Sequence, residues 1–387
     1  SAALFTVADP VLAVAIPHPL LSGAQFYKLM ASFGITSTSE MTYNTAVLKA
    51  YEALATRPDC PIRVSLFHMS IEPDAGDRLD SPVDPMMLTK QGIKLWADGS
   101  PWVGSIASSF PYLNSPLVQN AEIPLGPGGA AMMNYTRAEL DEILAKYVPM
   151  GWQFAFHCNG DVGLDIVLDA YEHALATNNL LGTDHRWRVE HMGGCRGDQF
   201  DRAAAMGVGL SLGPFQFIYW GDVLDGQMFP TEIGSEWMRW GDAVRSGAVY
   251  SFHNDGSVSP PNVLLNMQTA ITRMTPSGQV HGQSQIISLD DAFKAQTINA
   301  AHMLFRDQEV GSIEVGKYAD FVELSSDPYQ ADPAKLASQV TVNGTWVGGH
   351  KIDIDAFITE VTAIDPTQHK NAATTKPAIS QPIPSVV

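Results

Sequence analysis

The chain has 387 residues, 41 acidic against 23 basic, for a formal net charge of −18. That balance argues against nucleic acid or an anionic membrane surface as the main partner. A hydrophobic share of 45% with only 17% charged residues excludes an intrinsically disordered chain.

Residues 1–23 read as an extended segment. PVLAVAIPHPLL (10–21) is apolar but carries three prolines and lacks the basic start of a signal peptide. From residue 24 helical and strand patterns alternate. AQFYKLMASF (24–33) places Phe26, Leu29, Met30 and Phe33 on one helical face. Short β-rich runs follow at 34–41, 62–69, 92–99, 153–160, 186–193, 207–215 and 248–255. Helical patterns lie between them at 136–148, 163–175 and 198–206, the first opening with a Thr136/Glu139 capping box. Alternation of this kind predicts parallel β/α units. A closed (β/α)8 TIM-type barrel needs eight strands over about 250 residues. Seven are visible, so the expected fold is α/β, a TIM-type barrel lacking its first strand in this chain, over 24–308. An open doubly wound sheet would want a Gly-rich phosphate loop after an early strand, and none is in place.

Beyond residue 275 the pattern changes. Ser288 and Asp291 cap a predicted helix at 289–305. GSIEVGKYADFVEL (311–324) and KLASQVTVNGTWVGG (335–349) read as strands and turns, with Asn343-Gly344 as a hairpin signal. This is a small β-rich unit over 309–355. Residues 356–387, rich in Pro and Thr, read as a tail. Cys60, Cys158 and Cys195 make no disulfide framework and suit a reducing compartment, so a cytoplasmic location is expected. No apolar run reaches the roughly 18 residues of a membrane span.

Four strands end in residues that bind metals or move protons. These are Lys94, His157, His191 and Asp255. Barrel active sites form at the carboxyl ends of strands, so a barrel would aim all four at one mouth. Imidazole and carboxylate are ordinary ligands of Zn²⁺ and similar ions. A catalytic metal acidifies water, and a nearby carboxylate, here Asp255, takes the proton. Singly, each residue has a plainer reading: a strand-end histidine is usually a satisfied polar group, a lysine a solvated end, and Asp255 before Gly256 a turn residue. Their order on successive strands is what raises the functional reading. His68 and His253 are further candidates for ligand or substrate contact. Trp96, Trp102, Phe215 and Trp220, on or after strand ends, are either loop packing or an apolar wall for an aromatic or acyl substrate.

The segments GIKLWADGS, FHCNGDVGLDIVLDAYE, RVEHMG, GVGLSLGP, SFHNDGSVSPPN, AQTINAAHML and GSIEVGKYADFVEL together resemble the amidohydrolase superfamily. They are most similar to its family 3 branch, which includes YtcJ-like proteins and N-substituted formamide deformylases. The resemblance covers about residues 24–350. It implies a metal-dependent hydrolase acting on non-peptide C–N bonds (N-formyl, N-acyl or cyclic amides), with one or two divalent ions, zinc foremost. By position it implies that Lys94, often carboxylated in the family, and His157, His191 and Asp255 are ligands, with Asp255 also catalytic. It makes the unit at 309–355 part of a small β-sandwich.

One departure is large. The family opens with half of the β-sandwich and a first strand ending in His-x-His, and no His-x-His occurs in this sequence. The lone His18 between prolines is not that motif. The expectation is that a companion chain supplies the missing part, as a cleaved fragment of a precursor or a separate gene product, within an oligomer. The alternative is a non-catalytic subunit that binds ligand or stabilises a catalytic partner.

Overall fold

The computed structural model describes residues 19–364. The expectations for His18 and for the Pro/Thr-rich stretch past residue 364 lie outside the described residues.

Seven strands form one curled parallel sheet in chain order. They are β1 (Ser37–Tyr43), β2 (Arg63–Met69), β3 (Leu88–Trp96), β4 (Gln153–Cys158), β5 (Arg188–His191), β6 (Gly209–Leu212) and β7 (Tyr250–Phe252). All seven predicted strands are present. Helices in the connections include α1 (Pro19–Ser32), α2 (Leu48–Ala55), α3 (Arg137–Tyr147), α4 (Asp161–Thr177), α5 (Gly197–Ala205), α6 (Pro214–Leu224), α7 (Trp240–Ser246), α8 (Val263–Thr272), α9 (Leu289–Gln296) and α10 (Ile298–Met303).

Period-two alternation sorts each strand into an outward and an inward set. Ile93, Leu95, Phe154, Phe156, Val189, Leu210 and Leu212 face outward and are buried in the main core beneath the helices. Lys94, His157, Arg188, Glu190, Ser211 and Ser251 face inward and line one cavity. An inward face this polar makes the strands amphipathic. Parallel strands in a fully packed sheet are apolar on both faces.

The sheet does not close among the described residues. β1 pairs only with β2, and β7 only with β6. The inward cavity, about 630 Å³, reaches both free edges. Ser37 through Thr42 of β1 line one side, and Phe252 through Gly256 at the end of β7 line the other.

A second sheet of three antiparallel strands has the order β10 (His350–Lys351), β9 (Val342–Val347), β8 (Phe321–Leu324). Arg63 of β2 ties it to the large sheet through a buried ion pair with Asp320 at 2.7 Å. Thr345 Oγ1 adds a 2.8 Å bond to the Ala31 carbonyl of α1.

Four local expectations need correction. Of the strands and turns expected over 311–324, the strand part is confined to Phe321–Leu324, because Gly311 (φ +94°) and Gly316 (φ +102°) break the extended run before it. Asn343-Gly344 is not the hairpin turn. It lies inside β9 at a register shift opposite Glu323 and Leu324, a bulge, and the chain turns instead at Gly348 (φ +58°) and Gly349 (φ +84°). The helix expected at 289–305 divides into α9 and α10 at Thr297. At the ends, the extended segment is already helical from Pro19, and residues 356–363 of the expected tail belong to helix α11 (Ile354–Ala363). Phe357 and Val361 of α11 bury against α1, and Lys28 Nζ bonds Asp355 at 2.9 Å. No helix among the described residues is long and apolar enough to cross a membrane.

Candidate active site

His157 is the last inward residue of β4. Its Nε2 lies 2.9 Å from the Gly99 carbonyl. A carbonyl only accepts, so Nε2 carries the proton and Nδ1 is bare. Burial, and then the charge of Lys94, lower the imidazole to about 3, so the ring is neutral.

His191 ends β5. Alternation from the inward Arg188 and Glu190 would send its side chain outward. Its backbone instead takes φ +77°, followed by Met192 at +55°, and the ring lines the cavity. Such φ values cost about 1–3 kcal/mol and persist only when the surroundings enforce them. The His157 and His191 rings meet edge to face with centroids 4.5 Å apart. Burial and the neighbouring His157 hold His191 neutral as well.

His253, one residue past β7, completes a row of rings. Its Nε2 is 3.0 Å from His191 Nδ1 and its Nδ1 is 2.9 Å from Ser211 Oγ. Both His157 and His191 thus have one nitrogen engaged by the protein and the other free. His157, donating from one nitrogen with the other bare, is held as histidine metal ligands are. The two imidazoles therefore fit a divalent ion as part of a ligand set. Among the described residues, no group of three or more His, Cys, Asp or Glu is arranged to hold one.

Lys94 is fully shielded on β3. Burial pushes its amine down to about 8, against the pull of Glu190 and Asp255. A minor neutral fraction at neutral pH follows, far larger than for an ordinary lysine, and a neutral amine is the form that reacts with electrophiles. Asp255 (φ +51°) lines the cavity rim and is exposed. Trp96 lines the same cavity, its ring 5.3 Å beneath Lys94 Nζ.

The other expected substrate contacts lie away from the cavity. Phe67 takes the inward position of β2, so His68 faces outward, edge to face with Tyr43 at 4.9 Å. Trp102 and Trp220 stack on each other at 4.2 Å. Phe215 and Trp220 are not at a strand end, because Pro214 starts α6 directly after Gly213. The buried Phe215 packs 6.0 Å from the His253 ring without reaching the cavity.

Two inward charges escaped the sequence reading. Arg188 bonds Glu190 in a bidentate pair at 2.5 and 3.0 Å on the cavity wall. Burial opposes ionisation of Glu190, but Arg188 outweighs it, and Lys94 adds to the effect, holding the carboxyl to about 2. The signal was the Arg-Val-Glu spacing itself: two charges on one face of an otherwise apolar strand.

A curled parallel sheet with imidazoles gathered at the carboxyl ends of its strands defines a protein of the β/α-barrel type. The chain belongs to the amidohydrolase family, whose sequence model matches residues 21–352. It is 30% identical over 224 residues to the N-substituted formamide deformylase of Arthrobacter pascens, a match covering 56% of this chain and 39% of that protein. It is 24% identical to the putative amidohydrolase YtcJ of Bacillus subtilis strain 168, covering 75% of this chain and 52% of that one. Among solved structures it resembles an uncharacterized metal-dependent hydrolase from Pyrococcus horikoshii OT3. The TM-score is 0.65 at 25% identity, over 80% of this chain and 60% of that one. The chain thus spans about half the length, or less, of these curated relatives.

Proposed function

We propose that this chain carries the larger part of a metal-dependent amidohydrolase site that cleaves a non-peptide C–N bond, in an N-formyl, N-acyl or cyclic amide. The observation that carries the reading is the pair His157 and His191. Each is neutral, each has one nitrogen engaged by the protein, and both face one cavity beside Lys94 and Asp255.

His157 Nδ1 and the His191 imidazole would hold the ion, zinc being the natural occupant for such donors. Lys94, once its neutral amine takes up CO₂, would add a carboxylate-like oxygen, and Asp255 a further one. When bound, the ion supplies a Lewis acid and lowers the pKa of water. Asp255 at the rim takes the proton from the attacking water and delivers it to the nitrogen as the C–N bond breaks. The buried Arg188–Glu190 pair places fixed charges beside Lys94, and Trp96 gives the substrate an apolar wall.

The remaining ligands come, in this reading, from an extended companion segment carrying His-x-His. It would lie in the slot between β1 and β7, whose free edges offer backbone donors and acceptors to an added strand. Three buried free cysteines suit a reducing, cytoplasmic setting.

The test uses native material with every polypeptide identified by intact mass and with its metal content measured. Substituting His157→Ala or Asp255→Asn should lower amide hydrolysis by about 100-fold or more. An unchanged rate would overturn the assignment. The incomplete ligand set among the described residues favours a second reading, a non-catalytic subunit. Amide binding without turnover in the full assembly would select it.

A further inference from the structure

Behind the two imidazoles runs a directional chain of side chains. It starts at Trp237, which is fully buried and stacks on Phe229 at 5.1 Å. The indole N–H can only donate, and it donates to Gln216 Oε1 at 2.9 Å. That contact sets the amide orientation and turns Gln216 Nε2 toward Asn159 Oδ1 at 3.3 Å and His191 Nδ1 at 3.4 Å. Asn159 must then present Nδ2 on its other side, where it donates to the Gly99 carbonyl at 3.1 Å, the same oxygen that His157 Nε2 uses.

Both ends are anchored. The Asn159 and Gly160 backbone N–H groups donate to Asp98 at 2.9 and 2.8 Å, and Gly194 N–H donates to the Asn159 carbonyl at 2.9 Å. The indole is seated by Gly193 and Gly194, directly after Met192. A Cβ there would lie 2.5 and 2.8 Å from the Trp237 ring. Asn159 and Gln216 are 1% and 3% exposed, so water does not compete for these bonds.

We infer that Gln216 and Asn159, oriented by Trp237, are positioning residues. They form an amide strut that sets the spacing and ring orientation of His157 and His191. The inference deepens the hydrolase reading above and rests on it for its purpose, though not for its geometry.

The ¹⁵N-labelled, metal-free chain provides the test. Long-range ring correlations should show His157 as a single Nε2–H tautomer. His185, whose Nδ1 accepts from the Trp187 backbone N–H at 3.0 Å, serves as the remote reference. Gln216→Met removes the amide oxygen and nitrogen at nearly constant volume, and Trp237→Phe removes the orienting N–H together with part of the indole ring. Each should give a second set of His157 and His191 ring signals, leave His185 unchanged, and weaken Zn²⁺ binding by about tenfold or more. Unaltered ring signals together with unaltered Zn²⁺ affinity in both variants would overturn the strut. A parent protein that binds no Zn²⁺ would instead count against the hydrolase reading, while the ring signals still decide the strut.

Discussion

Arg188 and Glu190 lie two residues apart on one face of β5, both side chains only 5% exposed. Little of either charge reaches water, so each depends chiefly on the other, with Ser211 Oγ 3.4 Å from Arg188. Breaking such a pair from one side costs about 3–5 kcal/mol, because the remaining charge is buried and unpaired. Arg188→Met is therefore expected to destabilise the protein by that amount in denaturant melts. The double variant Arg188→Met/Glu190→Gln should recover much of the loss. Equal losses in both would show that the pair acts through packing alone. At this scale the sequence displayed residue types and their parity along a strand. Lys94, His157 and Asp255 were legible in that way, because strand ends place them at one mouth. His68 was not, since the residue that points inward on β2 is its neighbour Phe67. His191, also named from its strand end, reaches the cavity only because its backbone departs from the alternation that would have turned it away.

Elements were legible where local chemistry decides them. The capping box on α3 forms as expected: Thr136 Oγ1 accepts from Glu139 N–H at 3.3 Å, and Glu139 Oε2 accepts from Thr136 N–H at 2.7 Å. Thr136→Ala should cost about 1 kcal/mol, read as a lower thermal midpoint, with no effect on the distant cavity. A loss of several kcal/mol would mean that α3 docking, not the cap, depends on Thr136. Ser288 likewise caps α9 through Asp291 N–H at 3.1 Å. Elements were misjudged where neighbours decide. Asn343-Gly344 has hairpin chemistry, but β8 pairs alongside it and absorbs the extra residue as a bulge. α11 looked like tail because its composition is plain. It is helical where the groove beside α1 buries Phe357 and Val361.

The whole molecule responds to acid through carboxylates held by arginines, at α7 for Asp242 and across the fold for Asp307. Burial works to raise Asp242, but Arg245 and then Arg239 outweigh it and hold it below the ordinary carboxylate value. Asp307 is lowered in the same way, burial being outweighed by Arg186. A carboxyl whose pKa is lower in the folded than in the unfolded state stabilises fully above its unfolded pKa, about 3.9 for Asp. That stabilisation is lost as pH falls through the folded value. The thermal midpoint is thus expected to drop between about pH 5 and about pH 2, and by less in an Arg186→Gln/Arg239→Gln variant. Parallel pH profiles for the two proteins would remove these pairs from the account. The free edges of β1 and β7 belong to this scale too. They are far apart in sequence, and only the curl of the sheet makes them two walls of one slot.

Sequence alone determined the parallel β/α order, the seven strands, the small β unit and the family, because each rests on local periodicity or on a motif of adjacent residues. Tertiary structure decided which candidates meet. His253 joins the imidazole row, the Arg188–Glu190 pair stands beside Lys94, and Trp237 and Gln216 from the β6–β7 connection form a strut with Asn159 from the β4–β5 connection. Those contacts join residues tens of positions apart in the chain. Their distances follow from the curl and register of the whole sheet, which no local pattern encodes.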